Sequence, residues 1–190
     1  MENVKKSNPT LQFLLIGLKL LLICAIVAGV VSFVYSLTAE QYEKNIQETK
    51  SHAVGEIFGL AAPVCEELTA EGIEETVYKV FDNGALIGYC VEVKSAGFGG
   101  DIEMMVGYTA DCKILGVSII AMTETPGLGA KVSESTFLSQ YAGGVDQLEL
   151  GVDVDAISGA TISSRAVTDG VNRASHSLQQ VLSANGGAIR

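Results

Sequence analysis

Asp155-Ala156-Ile157-Ser158-Gly159-Ala160-Thr161-Ile162-Ser163-Ser164 sets small residues around one threonine, with hydroxyls at Ser158, Thr161, Ser163 and Ser164. Directly after it, Val167, Val171, Ala174, Leu178 and Val181 fall at helical spacing. Ser163 or Ser164 is placed to act as the N-cap of that helix, its hydroxyl accepting from a free backbone N–H of the first turn. Gly159, lacking a Cβ, lets the chain turn tightly or approach a ligand closely. A small-residue loop that feeds a helix N-terminus suits an anion such as phosphate, because unpaired N–H groups and the positive dipole end converge there. On these features alone, a plain capped helix start and an anion site both remain open.

The residues upstream change period. Thr76–Phe81 leads into Asp82-Asn83-Gly84, whose Asn-Gly pair is a strong hairpin signal. Leu86–Lys94, Ile102–Thr109 and Lys113–Met122 follow, rich in valine and isoleucine. Their order predicts an antiparallel meander of about four strands, whose apolar face needs a helical cover. The helix after Thr161 is the candidate, and Ser133–Tyr141 reads as a further short helix. The fold class expected is α+β.

Two loops of this sheet carry candidate chemistry. Glu124-Thr125-Pro126-Gly127-Leu128-Gly129 ends the last strand; Pro126 fixes φ, and Gly127 suits the positive φ of a type II turn. By itself this is a strand-ending turn. Phe98 lies in the glycine-rich turn Gly97-Phe98-Gly99-Gly100, where an aromatic ring either stacks on a ligand or plugs the end of the sheet.

Ahead of the sheet, residues 11–37 are apolar apart from Lys19, and Leu20–Leu37 are 18 residues without charge. That is roughly 27 Å of helix, close to a hydrocarbon core of about 30 Å. A backbone in lipid must satisfy its own hydrogen bonds, so a single transmembrane helix is expected, with Lys19 snorkelling to the interface. A cleaved signal peptide fits less well, since the nearest small-x-small site carries the bulky Leu37, and Cys24 is too deep for a lipoprotein anchor. Lys5, Lys6 and Lys19 precede the span while Glu40 and Glu43 follow it, placing the N-terminus in the cytoplasm and the domain outside. Residues 39–60 place apolar side chains at helical spacing, as though that helix continued onto the domain.

From Thr38 onward there are 21 acidic and 9 basic residues, which argues against nucleic acid and against docking on anionic headgroups. Cys65, Cys90 and Cys112 have neither a CxxC nor a Cys/His spacing, so no metal is expected, while one disulfide and free thiols both stay open. His52 and His176 have no partner constellation.

The series Asp-x-Ile-Ser-Gly-Ala-Thr-x-Ser at 155–163 resembles the flavinylation motif of FMN-binding domains, and Thr125-Pro126-Gly127-Leu128-Gly129 resembles a second element of that family. The resemblance implies FMN held through a phosphodiester to the threonine, where a flavin transferase places it from FAD. Carried over by position, Thr161 is the attachment residue, Ser158, Gly159 and Ala160 give the tight approach, and Asp155 belongs to the transferase's recognition element. Thr125 would offer polar contacts, Leu128 an apolar wall, and Gly127 and Gly129 room for the ring. With one anchor and an exported domain, nearly the whole chain resembles the G subunit of the Rnf ion-translocating electron transport complexes. The C subunit of the sodium-translocating NADH:quinone oxidoreductase shares the architecture, but this chain is short for it between anchor and first strand.

The resemblance implies an electron-transfer subunit of an ion-translocating ferredoxin:NAD oxidoreductase, not a complete enzyme alone, working with the other membrane subunits. It divides the chain into a cytoplasmic N-terminus (1–10), a transmembrane helix (11–37), a connecting amphipathic helix (38–70) and the FMN-binding domain (71–190). The alternatives are a membrane-anchored binding module without redox work and a stand-alone extracellular flavin reductase, which would need a further donor motif.

Overall fold

The structure, a computed structural model, describes residues 9–70, 72–144 and 147–185. The chain divides into two compact units, residues 1–47 and 48–190. Most of the expected cytoplasmic segment, with Lys5 and Lys6, lies outside the described residues.

The first unit is helical. Helix α1 runs from Pro9 to Phe58, and its Leu14–Ser36 portion, 23 residues with none buried, is long and apolar enough to cross a membrane. It is the only such stretch among the described residues. Exposed leucines, isoleucines and valines along its whole circumference suit lipid rather than water. α1 does not reach residue 70. It stops at Phe58, where Gly59 takes φ +69° and the Leu60 N–H returns to the Gly55 carbonyl at 2.9 Å.

The second unit is a five-stranded sheet, β1 (Val64–Leu68), β2 (Thr76–Asp82), β3 (Ala85–Ala96), β4 (Asp101–Thr109) and β5 (Ile114–Met122), in sequential order. Every neighbouring pair is antiparallel. The expected hairpin is present: Asn83 and Gly84 hold φ of +49° and +82°, as a type I′ turn requires. β1 adds a strand to the expected four and occupies part of the segment expected to be a connecting helix. It is an edge strand, mostly exposed, and Glu66 and Glu67 discourage a second chain from pairing with it. Having no buried face, it has no alternation to betray it.

Both faces of the sheet are covered. On one, Val91, Val93, Met104, Val106 and Ile114 pack with Val167, Val171, Ala174, Leu178 and Val181 of helix α3 (Thr161–Ala184). This is the cover expected from the stripe after Thr161. On the other, Val80, Cys90 and Met105 pack with Ala53, Val54 and Ile57 from the end of α1. Double coverage explains why Met104 to Tyr108 are buried in succession rather than alternately. Burial pushes the Cys90 thiol well above its ordinary value. All four cysteines are free, and no group of three or more His, Cys, Asp or Glu among the described residues could hold a metal. Between β5 and α3 lie a 3₁₀ turn at Gly129–Ser133, the one-turn helix α2 (Ser135–Leu138) and a second 3₁₀ turn at Ser139–Tyr141, where one short helix was expected.

Candidate functional site

At one end of the sheet the three noted loops meet. β5 ends at Met122, and Thr125-Pro126-Gly127-Leu128 closes a turn in which the Leu128 N–H donates to the Thr125 carbonyl at 3.2 Å. Gly127 sits third in it with φ +74°, the conformation of a type II turn. The β3–β4 turn closes with the Gly97 N–H on the Gly100 carbonyl at 2.8 Å. The third loop brings Gly159, at φ +78°, against the first: a Cβ there would come within 3.0 Å of Leu128 Cδ1.

Helix α3 begins differently from expectation. Neither Ser163 nor Ser164 is the N-cap. Ala160 takes that place without a side-chain cap, and Thr161 is the first helical residue. The first backbone bond into the helix runs from Ser164 N–H to Ala160 O at 2.9 Å, so the N–H groups of residues 161–163 have no helical carbonyl to bond. Ser164 instead braces the loop. Its hydroxyl accepts from the Ile157 N–H at 3.1 Å and donates to the Ala160 carbonyl at 3.0 Å. One turn on, Thr168 Oγ1 donates to the Ser164 carbonyl at 3.0 Å, which leaves the Tyr141 phenol as donor in its 2.9 Å bond to Thr168. Burial pushes that phenol up to about 12, so it keeps its proton across the physiological range.

The loops enclose an open cleft of about 290 Å³. Phe98, Glu124, Thr125, Leu128 and Gly129 line it from the two sheet loops, and Gly159, Ala160, Thr161, Ile162 and Ser163 from the third loop and the start of the following helix. Six of the eight expected site residues therefore face one space; Ser158 and Gly127 lie in the same loops but do not line it. Thr161 is exposed, and Phe98, Leu128 and Ile162 form a rim that is 70, 44 and 56% exposed. Asp155 is also exposed, its N–H bonded to Gln140 Oε1 at 2.8 Å, outside the cleft lining.

Glu124, Ile162 and Ser163 line the cleft without having been expected to. Glu124 is the least foreseeable, because a single carboxylate before a turn ordinarily faces water. Here it is 8% exposed, and its Oε1 accepts from the N–H groups of Phe98 and Gly99 at 2.7 and 3.4 Å. Gly97 and Gly129 make room for it, since a Cβ on either would collide with its carboxylate. The lining holds no histidine or cysteine, and no nucleophile–base pair. It can bind and orient a ligand and shield it from water, but it has no general acid–base couple.

The FMN-binding domain family matches residues 97–176, an interval that contains all three loops. The G subunit of the Na(+)-translocating ferredoxin:NAD(+) oxidoreductase complex of Acetobacterium woodii is 33% identical over 181 residues, covering 83% of this chain and 87% of that one. The G subunit of the ion-translocating oxidoreductase complex of Methanosarcina acetivorans is 33% identical over 167 residues, covering 82% and 88%. The chain belongs to the G-subunit family of ion-translocating oxidoreductase complexes. The expected resemblance thus holds over most of the length. Among solved structures, the C subunit of the Na(+)-translocating NADH-quinone reductase from Parabacteroides distasonis superposes with a TM-score of 0.59 at 18% identity, over 75% of this chain and 96% of that one. That likeness establishes a common fold for the sheet and its helices.

Proposed function

We propose that this chain is the membrane-anchored flavoprotein of an ion-translocating ferredoxin:NAD oxidoreductase, carrying FMN on Thr161 and relaying electrons to neighbouring subunits. The observation that carries this reading is the meeting of the 125–129 and 158–161 loops in one cleft, with an exposed threonine at a helix N-terminus. The residues present fit the cofactor. Three unpaired N–H groups and the helix dipole suit a phosphate beside Thr161. Phe98, Leu128 and Ile162 give apolar surface for a ring, and a cleft of this volume, near the lower end for ligand sites, leaves part of a bound nucleotide outside.

A bound flavin supplies one- and two-electron chemistry that no side chain here possesses. The protein's part is to tether it, exclude water from one side and hold the polar groups around it. In maturation a flavin transferase would exchange the AMP of FAD for the Thr161 oxygen on the FMN phosphorus. Exposure of Thr161 leaves that hydroxyl accessible to such an enzyme. In-gel flavin fluorescence of the denatured protein, made with and without the transferase, tests the attachment.

Two expected results follow from this reading. Leu128→Asp should leave the flavin covalently attached yet change its absorption envelope and potential, because Leu128 lines the cleft from a different loop and is not the attachment residue. An unchanged spectrum and potential would remove the loop from the site. For topology, Lys19 and the acidic excess after the span favour a domain outside the cytoplasm. Protease added to spheroplasts should then cut at 97–101 while sparing the N-terminus. A cytoplasm-only reporter fused after Arg190 that proves active would reverse the orientation.

A further inference from the structure

Glu124 is the one described residue with a buried side-chain polar atom that has no hydrogen-bond partner: its Oε2. The other carboxylate oxygen is fully used by the Phe98 and Gly99 N–H groups. As a carboxylate, Glu124 has its remaining acceptor capacity at Oε2. A buried polar group left unpaired costs free energy, more so for a charged one, and native proteins seldom tolerate it without cause. Oε2 is itself buried, at the wall of the cleft that Glu124 lines. It adjoins Gly129, where a Cβ would collide with it and would come within 2.9 Å of Ser163 Oγ. The Ser163 hydroxyl is close by in the same lining, yet no hydrogen bond joins it to the carboxylate. Only a glycine at 129 therefore lets this unpaired acceptor pack beside the start of α3.

We infer that Glu124 Oε2 accepts a hydrogen bond from the flavin nucleotide bound in this cleft, from a ring N–H or a ribityl O–H. Glu124 is thus a binding residue as well as a clamp on the β3–β4 turn. This rests on the reading of the cleft as the flavin site. The carboxylate's two oxygens divide the work: Oε1 fixes Phe98 and Gly99 in place, and Oε2 meets the ligand. A negative charge beside the ring disfavours adding electrons to it, so a contact at a ring N–H lowers the flavin's potential, whereas one at a ribityl O–H leaves it unchanged.

Glu124→Gln separates the two roles, since its amide oxygen still accepts from Phe98 and Gly99 while its NH₂ replaces the acceptor at Oε2. Full-length wild type and variant would be made with and without the transferase, and four quantities read: intact mass, circular dichroism, the flavin potential, and the rise in Tm that loading brings. The variant should keep its circular dichroism, since the amide oxygen still holds the β3–β4 turn. Its apoprotein should melt no lower than wild-type apoprotein, because an unpaired charge has been removed. Loading should raise its Tm less than it raises that of wild type. A potential that moves upward places the donor on the ring, and an unchanged potential with the smaller Tm increment places it on the ribityl chain. A variant matching wild type in both potential and Tm increment sinks the inference and leaves Glu124 a turn clamp. A wild type that gains no flavin mass sinks the reading of the site itself, and this inference with it.

Discussion

Thr161→Val is expected to yield a folded protein that gains no flavin when the transferase is co-expressed. A phosphodiester needs an oxygen, and valine replaces the threonine hydroxyl by a methyl of nearly equal size. The change should be mild for the fold: Thr161 is exposed and is not the helix cap, a place taken by Ala160 without any side-chain bond. An exposed substitution of this kind stays within about 0.5 kcal/mol. The neighbouring hydroxyls are poor substitutes. Ser164 is buried and engaged at Ile157 and Ala160, Ser163 is 2% exposed, and Ser158 does not line the cleft. Phosphate at 161 would gain roughly 0.3–1 kcal/mol from the helix N-terminus, enough to favour the site but not to form a covalent bond. Thr161→Ser is accordingly the one replacement expected to label at all. Intact-protein mass decides the matter, and an FMN adduct on the valine variant would overturn the assignment.

Leu178→Ala should be the most damaging of the conservative truncations along α3. Leu178 is 1% exposed in the cluster that joins the helix to the sheet. Truncation removes buried methyl groups and leaves a cavity in the cluster that Leu178 shares with Val77 and Val91, which closes only in part. The expected loss is about 3 kcal/mol, or a fall in Tm of roughly 10 °C for a domain of this size. Because α3 begins at Thr161, the loss should also loosen the Thr161 end of the cleft, and flavin labelling should fall with temperature sooner than in wild type. Thermal melts of the two apoproteins measure the first effect. A change below about 1 °C would mean that α3 is not the cover of the sheet.

Much of this was legible from residues that act locally. The step of four and three after Thr161 demands a helix, Asn83-Gly84 demands a primed turn, and Pro126-Gly127 demands a turn with positive φ. Each depends on backbone sterics within a few residues, so no distant partner can alter it. The apolar run from Leu20 to Leu37 is of the same kind, since lipid compatibility is a property of composition and length. The motif at 155–163 singled out Thr161 as the candidate, because the hydroxyl and the small residues around it are contiguous.

Other features depended on what packs against what. β1 was hidden because an exposed edge strand needs no apolar alternation. The helix start moved to Thr161 because Ser164 found better partners, its hydroxyl being captured by Ile157 and Ala160 before it could cap the first turn. The burial of Glu124 was invisible, since it depends on glycines at 97 and 129, one before it and one after, both leaving space for one carboxylate. Sequence alone thus determined the apolar helix, the hairpin and the long helix that opens at Thr161, through interactions that a short segment completes by itself. Tertiary structure alone decided that three loops drawn from distant parts of the chain face one cleft, with an unpaired acceptor among its walls. Those relations arise only when the sheet, covered on both faces, brings the ends of its strands together.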